Sequence, residues 1–255
     1  MTGRTDVAGV DGRVRPVDLV VFDVGETLVS EERVWADWAR WLDVAPTVLA
    51  AALDSAVARG QDHRDAFSIV RPGIDLDRER TAKEAAGIRW AFDRDDLYPD
   101  AVPCLERLRR DGFCVAIAAN QPAAVGPMLE AMGLKVEFVA TSATWGVTKP
   151  HPEFFERLTR AADRPPDRIA YVGDRLDNDV LPARRAGMVG VLIRRGPWGH
   201  IHATWPERAQ ADAVIDTLDE LPAALGRRSA GPRPAHVPGD PSLTVARGAG
   251  TMDGA

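Results

Sequence analysis

The chain has 255 residues, 45% of them apolar and 27% charged, and 38 acidic against 32 basic side chains leave a net charge of -6. That length suits one sizeable domain with an insertion or two small ones, and the acidic balance argues against a nucleic-acid partner, which selects for basic excess. No stretch approaches the roughly 20 apolar residues of a membrane helix, and the start, Met1 to Asp6, lacks a signal-peptide core. Two cysteines, Cys104 and Cys114, read as small buried side chains without a disulfide framework, so a cytoplasmic protein is expected.

Residues 1–16 are polar and glycine-containing, and disorder is expected there. A strand follows at 19–22, a continuous apolar run of the kind buried on both faces of a parallel sheet. Residues 31–98 contain no convincing strand, and roughly 70 residues is far more than a crossover needs. Helical spacing of Trp35, Trp38 and Leu42, and of Val34 and Trp41, marks this stretch as an inserted helical cap whose tryptophans form its core or its seat. Alternation then sets in. Helix 102–110 leads to strand 113–118, helix 123–132 to strand 136–140, and helix 152–162 to strand 169–172. Helix 179–186 leads to strand 189–193, and strand 213–215 and helix 218–225 complete the series. Gly112, Gly133 and Gly187 stand where helices should end. The basic, aromatic stretch holding Arg194, Arg195, Trp198, His200 and His202 reads as a solvated loop, and residues 227–255, rich in proline and glycine, as a disordered tail. The fold class is α/β: a doubly wound, Rossmann-like parallel sheet built from 17–30 and 99–226, with the cap at 31–98.

In such sheets ligands bind at the carboxyl ends of the strands. Asp23 ends the first strand, where it can serve as nucleophile or metal ligand or else cap the following turn, and the Thr27 hydroxyl follows in the same turn to hold the loop. Asp174 follows the strand at 169–172 in a Gly-Asp pair, and with Asp23 offers two carboxylates to a hard cation such as Mg²⁺. Asp179 is either an outer partner of that site or the cap of the next helix, while Asp177 and Asn178 read as turn residues. Lys149, held in a loop by Pro150, carries a charge suited to a phosphate and a neighbouring carboxylate.

Taken together, Val20-Val21-Phe22-Asp23-Val24-Gly25-Glu26-Thr27-Leu28, Ala116 to Asn120, Lys149-Pro150, and Gly173-Asp174 with Asp177-Asn178-Asp179 resemble the motifs of haloacid dehalogenase-like hydrolases. The resemblance spans roughly residues 17–225 and implies a Mg²⁺-dependent phosphatase acting on a small phosphorylated metabolite through an aspartyl-phosphate, as a monomer or homodimer. It casts Asp23 as nucleophile and metal ligand, the Gly25 carbonyl and Asp174 as further metal ligands, and Thr27, Asn120 and Lys149 as phosphate contacts. Asp179 and Glu26 become candidates for a second ring of polar partners. Two positions depart from the pattern. Gly25 stands where such phosphatases carry an aspartate that moves a proton, and Ala119 where they offer a hydroxyl to phosphate. Losing a positioned acid costs about 10²–10⁴ in rate, so either Glu26 or a cap residue replaces it, or Gly25→Asp should raise turnover. The alternatives are a non-catalytic phosphate-binding homologue and, less favoured, a haloacid dehalogenase, which needs no leaving-group proton.

Overall fold

The computed structural model describes residues 17–226, so the two terminal segments expected to be disordered lie outside the described residues. In chain order, strand β1 (Leu19–Phe22) leads into four helices, α1 (Glu32–Trp41), α2 (Pro46–Ala58), α3 (Asp65–Val70) and α4 (Leu76–Ala85). Helix α5 (Ala101–Arg110), β2 (Cys114–Ala119), α6 (Val125–Ala131), β3 (Val139–Thr141), α7 (Ser142–Trp145) and α8 (Pro152–Ala162) follow. Then come β4 (Ile169–Gly173), a π-helical turn at Leu176–Val180, α9 (Leu181–Arg185), β5 (Val189–Ile193), α10 (Gly196–His202), β6 (Ala213–Ile215) and α11 (Leu221–Gly226).

The six strands are all parallel in the order β3-β2-β1-β4-β5-β6. The chain winds outward from β1 in one direction, returns, and winds outward in the other, which places the switch point at the β1–β4 pair. Alternate residues of each strand feed opposite layers. Val20 and Phe22 join Val115, Ile117 and the α5 side chains Leu105 and Leu108 on one face. Leu19 and Val21 join Tyr171 and the α8 residues Phe154, Phe155 and Leu158 on the other. Both faces are covered by helices, which is why the strands read as continuous apolar runs.

Helices α1 to α4 enclose a core of their own around Leu42, Leu49, Leu53, Val57 and Phe67, with Trp35, Trp38 and Trp41 packed against it. The two strands of chain that enter and leave this insertion are tied together. Tyr98 N–H donates to the Leu28 carbonyl at 2.9 Å, Ser30 N–H donates to the Asp96 carbonyl at 2.8 Å, and Val29 bridges Leu97. Arg33 of α1 reaches across to Asp96, its Nε donating to Oδ1 at 2.8 Å. Among the described residues no single helix is long and apolar enough to cross a membrane.

Two expectations are corrected. The stretch 194–202 is not a solvated loop: Pro197 opens helix α10, and Trp198, Ile201 and His202, spaced for one helical face, pack inward. Trp198 and Ile201 sit in the core of the insertion, so α10 is the seat that joins it to the sheet. The helix expected at 179–186 is also two elements, the π-helical turn and the shorter α9. Asp177, Asn178 and Asp179 therefore lie in one wide helical turn rather than a loop.

Candidate active site

β1, β2 and β4 are adjacent strands, and the residues that leave their carboxyl ends are Asp23, Asn120 and Asp174. Asp23 N–H donates to the Val172 carbonyl at 2.9 Å, so the nucleophile candidate is locked to β4 as well as β1. Asp23, Asp174 and Asp179 each present an oxygen within 4.8 Å of the others. Lys149 Nζ donates to Asp23 Oδ1 at 2.8 Å and to Asp179 Oδ1 at 2.6 Å, with its side chain fully buried. Asp23, Lys149 and Asp174, far apart in sequence, thus meet at one rim.

Close packing at two glycines shapes the rim. A Cβ on Gly173 would collide with the Asp179 carboxylate, so glycine is what lets Asp179 lie against β4. The second oxygen of that carboxylate accepts the Arg175 N–H at 3.0 Å. Asp179 therefore does not cap α9. It braces Lys149 from beneath. At Gly25 the space for a side chain is filled from elsewhere: Glu31 Oε1 lies 2.5 Å from where a Cβ would stand. Gly25→Asp is thus not the simple repair expected from sequence, because its carboxylate meets one already there.

Electrostatics follow from burying Asp174 and Asp179 beside the half-buried Asp23. Burial first, then the charges of Asp179 and Asp23, hold the Asp174 carboxyl well above its ordinary range. Burial pushes Asp179 up to about 6 even though Lys149 opposes the shift. Burial alone would favour a neutral Lys149, yet Asp179 and Asp23 outweigh it and keep the ammonium charged. Oxygen donors in this density fit a hard divalent cation, which would relieve the mutual repulsion. Glu31 is raised to about 7 by burial, then by Glu26 and Asp23.

The remaining candidates divide. Asn120 lines the cavity, but its amide clasps the lysine loop: Nδ2 donates to the Lys149 carbonyl at 2.9 Å and Oδ1 accepts the Lys149 N–H at 2.7 Å. Thr27 is fully buried away from the two cavities described below, and its hydroxyl has no hydrogen-bond partner among the described residues. Its carbonyl accepts a hydrogen bond from the buried Arg195 Nη1 at 2.9 Å, which holds the loop. Ala119 is buried in β2. Glu26 adopts a left-handed backbone (φ 50°), and its carboxylate accepts from the Tyr98 hydroxyl and, at 2.9 Å, from the Glu31 N–H.

Two open cavities meet over these groups. One of about 1070 Å³ is lined by Asp23, Gly25, Lys149 and Asp174. The other, about 710 Å³, lies in the insertion between Trp35, Trp38, Phe67, Lys83 and Trp198. Glu26, Glu31, His63, Arg64, Asn120 and Trp198 line both. Sequence reasoning missed Glu31 and left His63 and Arg64 undistinguished. Acids are common where helices start, so nothing in Ser30-Glu31-Glu32 separates Glu31 from an ordinary first-turn residue.

Residues 17–187 match the family profile of haloacid dehalogenase-like hydrolases. The chain is 32% identical over 200 residues to the glyceraldehyde 3-phosphate phosphatase of Methanopyrus kandleri, covering 71% of this chain and 86% of that one. It is 26% identical over 223 residues to a phosphoglycolate phosphatase of Vibrio cholerae, covering 82% and 96% of the two chains. The fold matches the crystal structure of a HAD phosphatase from Thermococcus onnurineus with a TM-score of 0.51 and 24% identity, over 82% of this chain and 98% of the other. The protein belongs to the haloacid dehalogenase-like hydrolases.

Proposed function

We propose that the protein is a Mg²⁺-dependent phosphatase that hydrolyses a small phosphorylated metabolite through an aspartyl-phosphate on Asp23. The observation that carries this reading is the group at the switch point, the half-buried Asp23 and the buried Asp174 and Asp179 within 4.8 Å of one another, with Lys149 paired to two of them. Asp23, Asp174 and the Gly25 carbonyl would hold the cation. Bound Mg²⁺ would supply Lewis-acid neutralisation of the phosphoryl oxygens.

The residues of the chain do the rest. Asp23 attacks phosphorus from its fixed place between β1 and β4, and the P–O bond to the leaving group breaks. Lys149 offsets charge on the phosphoryl oxygens and holds Asp23 in orientation through its 2.8 Å contact. Asp179 and Asn120 hold the lysine, one by its ammonium and the other by its backbone. Water then cleaves the aspartyl-phosphate, releasing phosphate. The helical insertion acts as a cap over the rim, and its cavity receives the body of the substrate.

A buried carboxylate cluster favours this reading over halide displacement, which needs an aspartate but no cation. The test is a phosphate-release screen over small phosphate esters with and without Mg²⁺, run beside Asp23→Asn. Metal-dependent release that disappears in Asp23→Asn is expected. Release that survives the substitution unchanged would remove Asp23 from its role.

A further inference from the structure

The leaving oxygen of an alkyl phosphate needs a proton as its bond to phosphorus breaks, and the residue two positions after Asp23 has no side chain to give one. Four other carboxylates at the rim are already committed. Asp23 and Asp179 are paired with Lys149, and Asp174 completes their cluster. Glu26 spends its two oxygens on the Tyr98 hydroxyl and the Glu31 N–H. Glu31 remains. Its Oε1 lies 2.5 Å from the position of a Cβ on Gly25. An aspartate's own carboxylate oxygen lies about 2.4 Å from its Cβ by standard bond lengths. The oxygen therefore stands as far from that point as an oxygen of an aspartate at position 25 would.

Two further observations aim Glu31 at a leaving group. It lines both cavities, whereas Asp23 lines only the larger, so Glu31 stands at the passage between the attacked phosphorus and the space for the substrate body. Its position is also built. Its N–H donates to Glu26 Oε1 at 2.9 Å, and its carbonyl accepts the Trp35 N–H at 3.0 Å as α1 begins.

We propose that Glu31, the first residue of the insertion, is the catalytic proton donor to the leaving oxygen, in the place left open by Gly25. This rests on the phosphatase reading above. As Asp23 bonds to phosphorus, the P–O bond to the leaving group breaks, its electron pair stays on that oxygen, and the Glu31 carboxyl proton moves to it. In the second half, the Glu31 carboxylate takes a proton from the attacking water while the Asp23–phosphorus bond breaks and its electron pair returns to Asp23. The acid is thereby regenerated. Glu31 is thus a carboxylate delivered by the fold rather than by the motif.

The test is rapid-quench measurement of leaving-group release in the first turnover, on 4-nitrophenyl phosphate and on an alkyl phosphate, with Mg²⁺ present. In Glu31→Gln, release of the alcohol is expected to fall by about 10²–10⁴-fold, while release of nitrophenol, which needs no proton, falls by less than about tenfold. Equal losses on both substrates, or no loss on either, would overturn the assignment. A relocation variant guards against a folding defect: Gly25→Asp with Glu31→Ala is expected to recover alcohol release to within about tenfold of wild type, and recovery no better than Glu31→Ala alone would contradict the proposal. A wild-type protein that releases phosphate from neither substrate would sink the phosphatase reading itself, and this assignment with it.

Discussion

Lys149 is fully buried between Asp23 and Asp179. Removing one partner from a buried ion pair typically costs about 3–5 kcal/mol, because the other charge is left without compensation. Lys149→Met is accordingly expected to lower the melting temperature as well as to cut phosphate release by about 10²–10³-fold. Loss of activity with an unchanged melting curve would show that the pair contributes nothing to the fold. Asn120→Ala makes a separate point. With both amide hydrogen bonds to Lys149 gone, small displacements of the ammonium are expected to lower kcat by up to about 10²-fold with little change in KM. A change confined to KM would return Asn120 to the direct phosphate contact expected from sequence. At this scale the motifs were readable because each reactive side chain follows an apolar run directly, as Asp23 follows Phe22 and Asp174 follows Gly173. Asn120 reads differently in the fold because its partner, Lys149, lies 29 residues away.

Helix α10 decides how the insertion is attached. Trp198 is among the buried residues of the insertion's core, while Arg175, one residue after Asp174, stacks its guanidinium 3.9 Å from the Trp198 ring centre. Truncating a buried large aromatic to alanine costs about 3–5 kcal/mol. Trp198→Ala is therefore expected to loosen α2 and α10 together, seen as faster amide hydrogen exchange in both while β1 and β4 stay protected. Exchange that rises uniformly across the sheet would contradict a local seat. Strands and most helices were legible because their apolar periods are long and glycines end the helices, as at Gly112, Gly133 and Gly187, all with positive φ. Helix α10 was hidden by its composition. Arginines and histidines at 194–202 look solvated, yet Arg195 pairs with Asp100 and lies over the Tyr98 ring, and His202 accepts the Leu176 N–H at 3.0 Å. Those partners are 26 to 97 residues away in sequence, beyond the reach of any local pattern.

Over the whole molecule, stability and metal binding are linked through the same carboxylates. Asp179 is raised from 3.8 to about 6 in the fold, and Asp174 is raised as well. Without metal, the folded state keeps protons that the unfolded chain has released, so this contribution to stability is lost as pH rises from about 4 through 6. A divalent cation binds the ionised carboxylates and reverses the loss. The rise in melting temperature caused by Mg²⁺ is thus expected to be small near pH 5 and larger near pH 7. A Mg²⁺ effect independent of pH would place the cation away from this cluster.

The winding of the sheet outward from β1 in both directions brings Asp23 beside Asp174 and Lys149, and the covalent catalysis proposed for Asp23 depends on this convergence. Acid quenching during turnover of a ³²P-labelled ester, followed by peptide mapping, tests it most directly. The account predicts label on the peptide that contains Asp23 and none in Asp23→Asn. Continued turnover with label absent, or carried on another peptide, would contradict it.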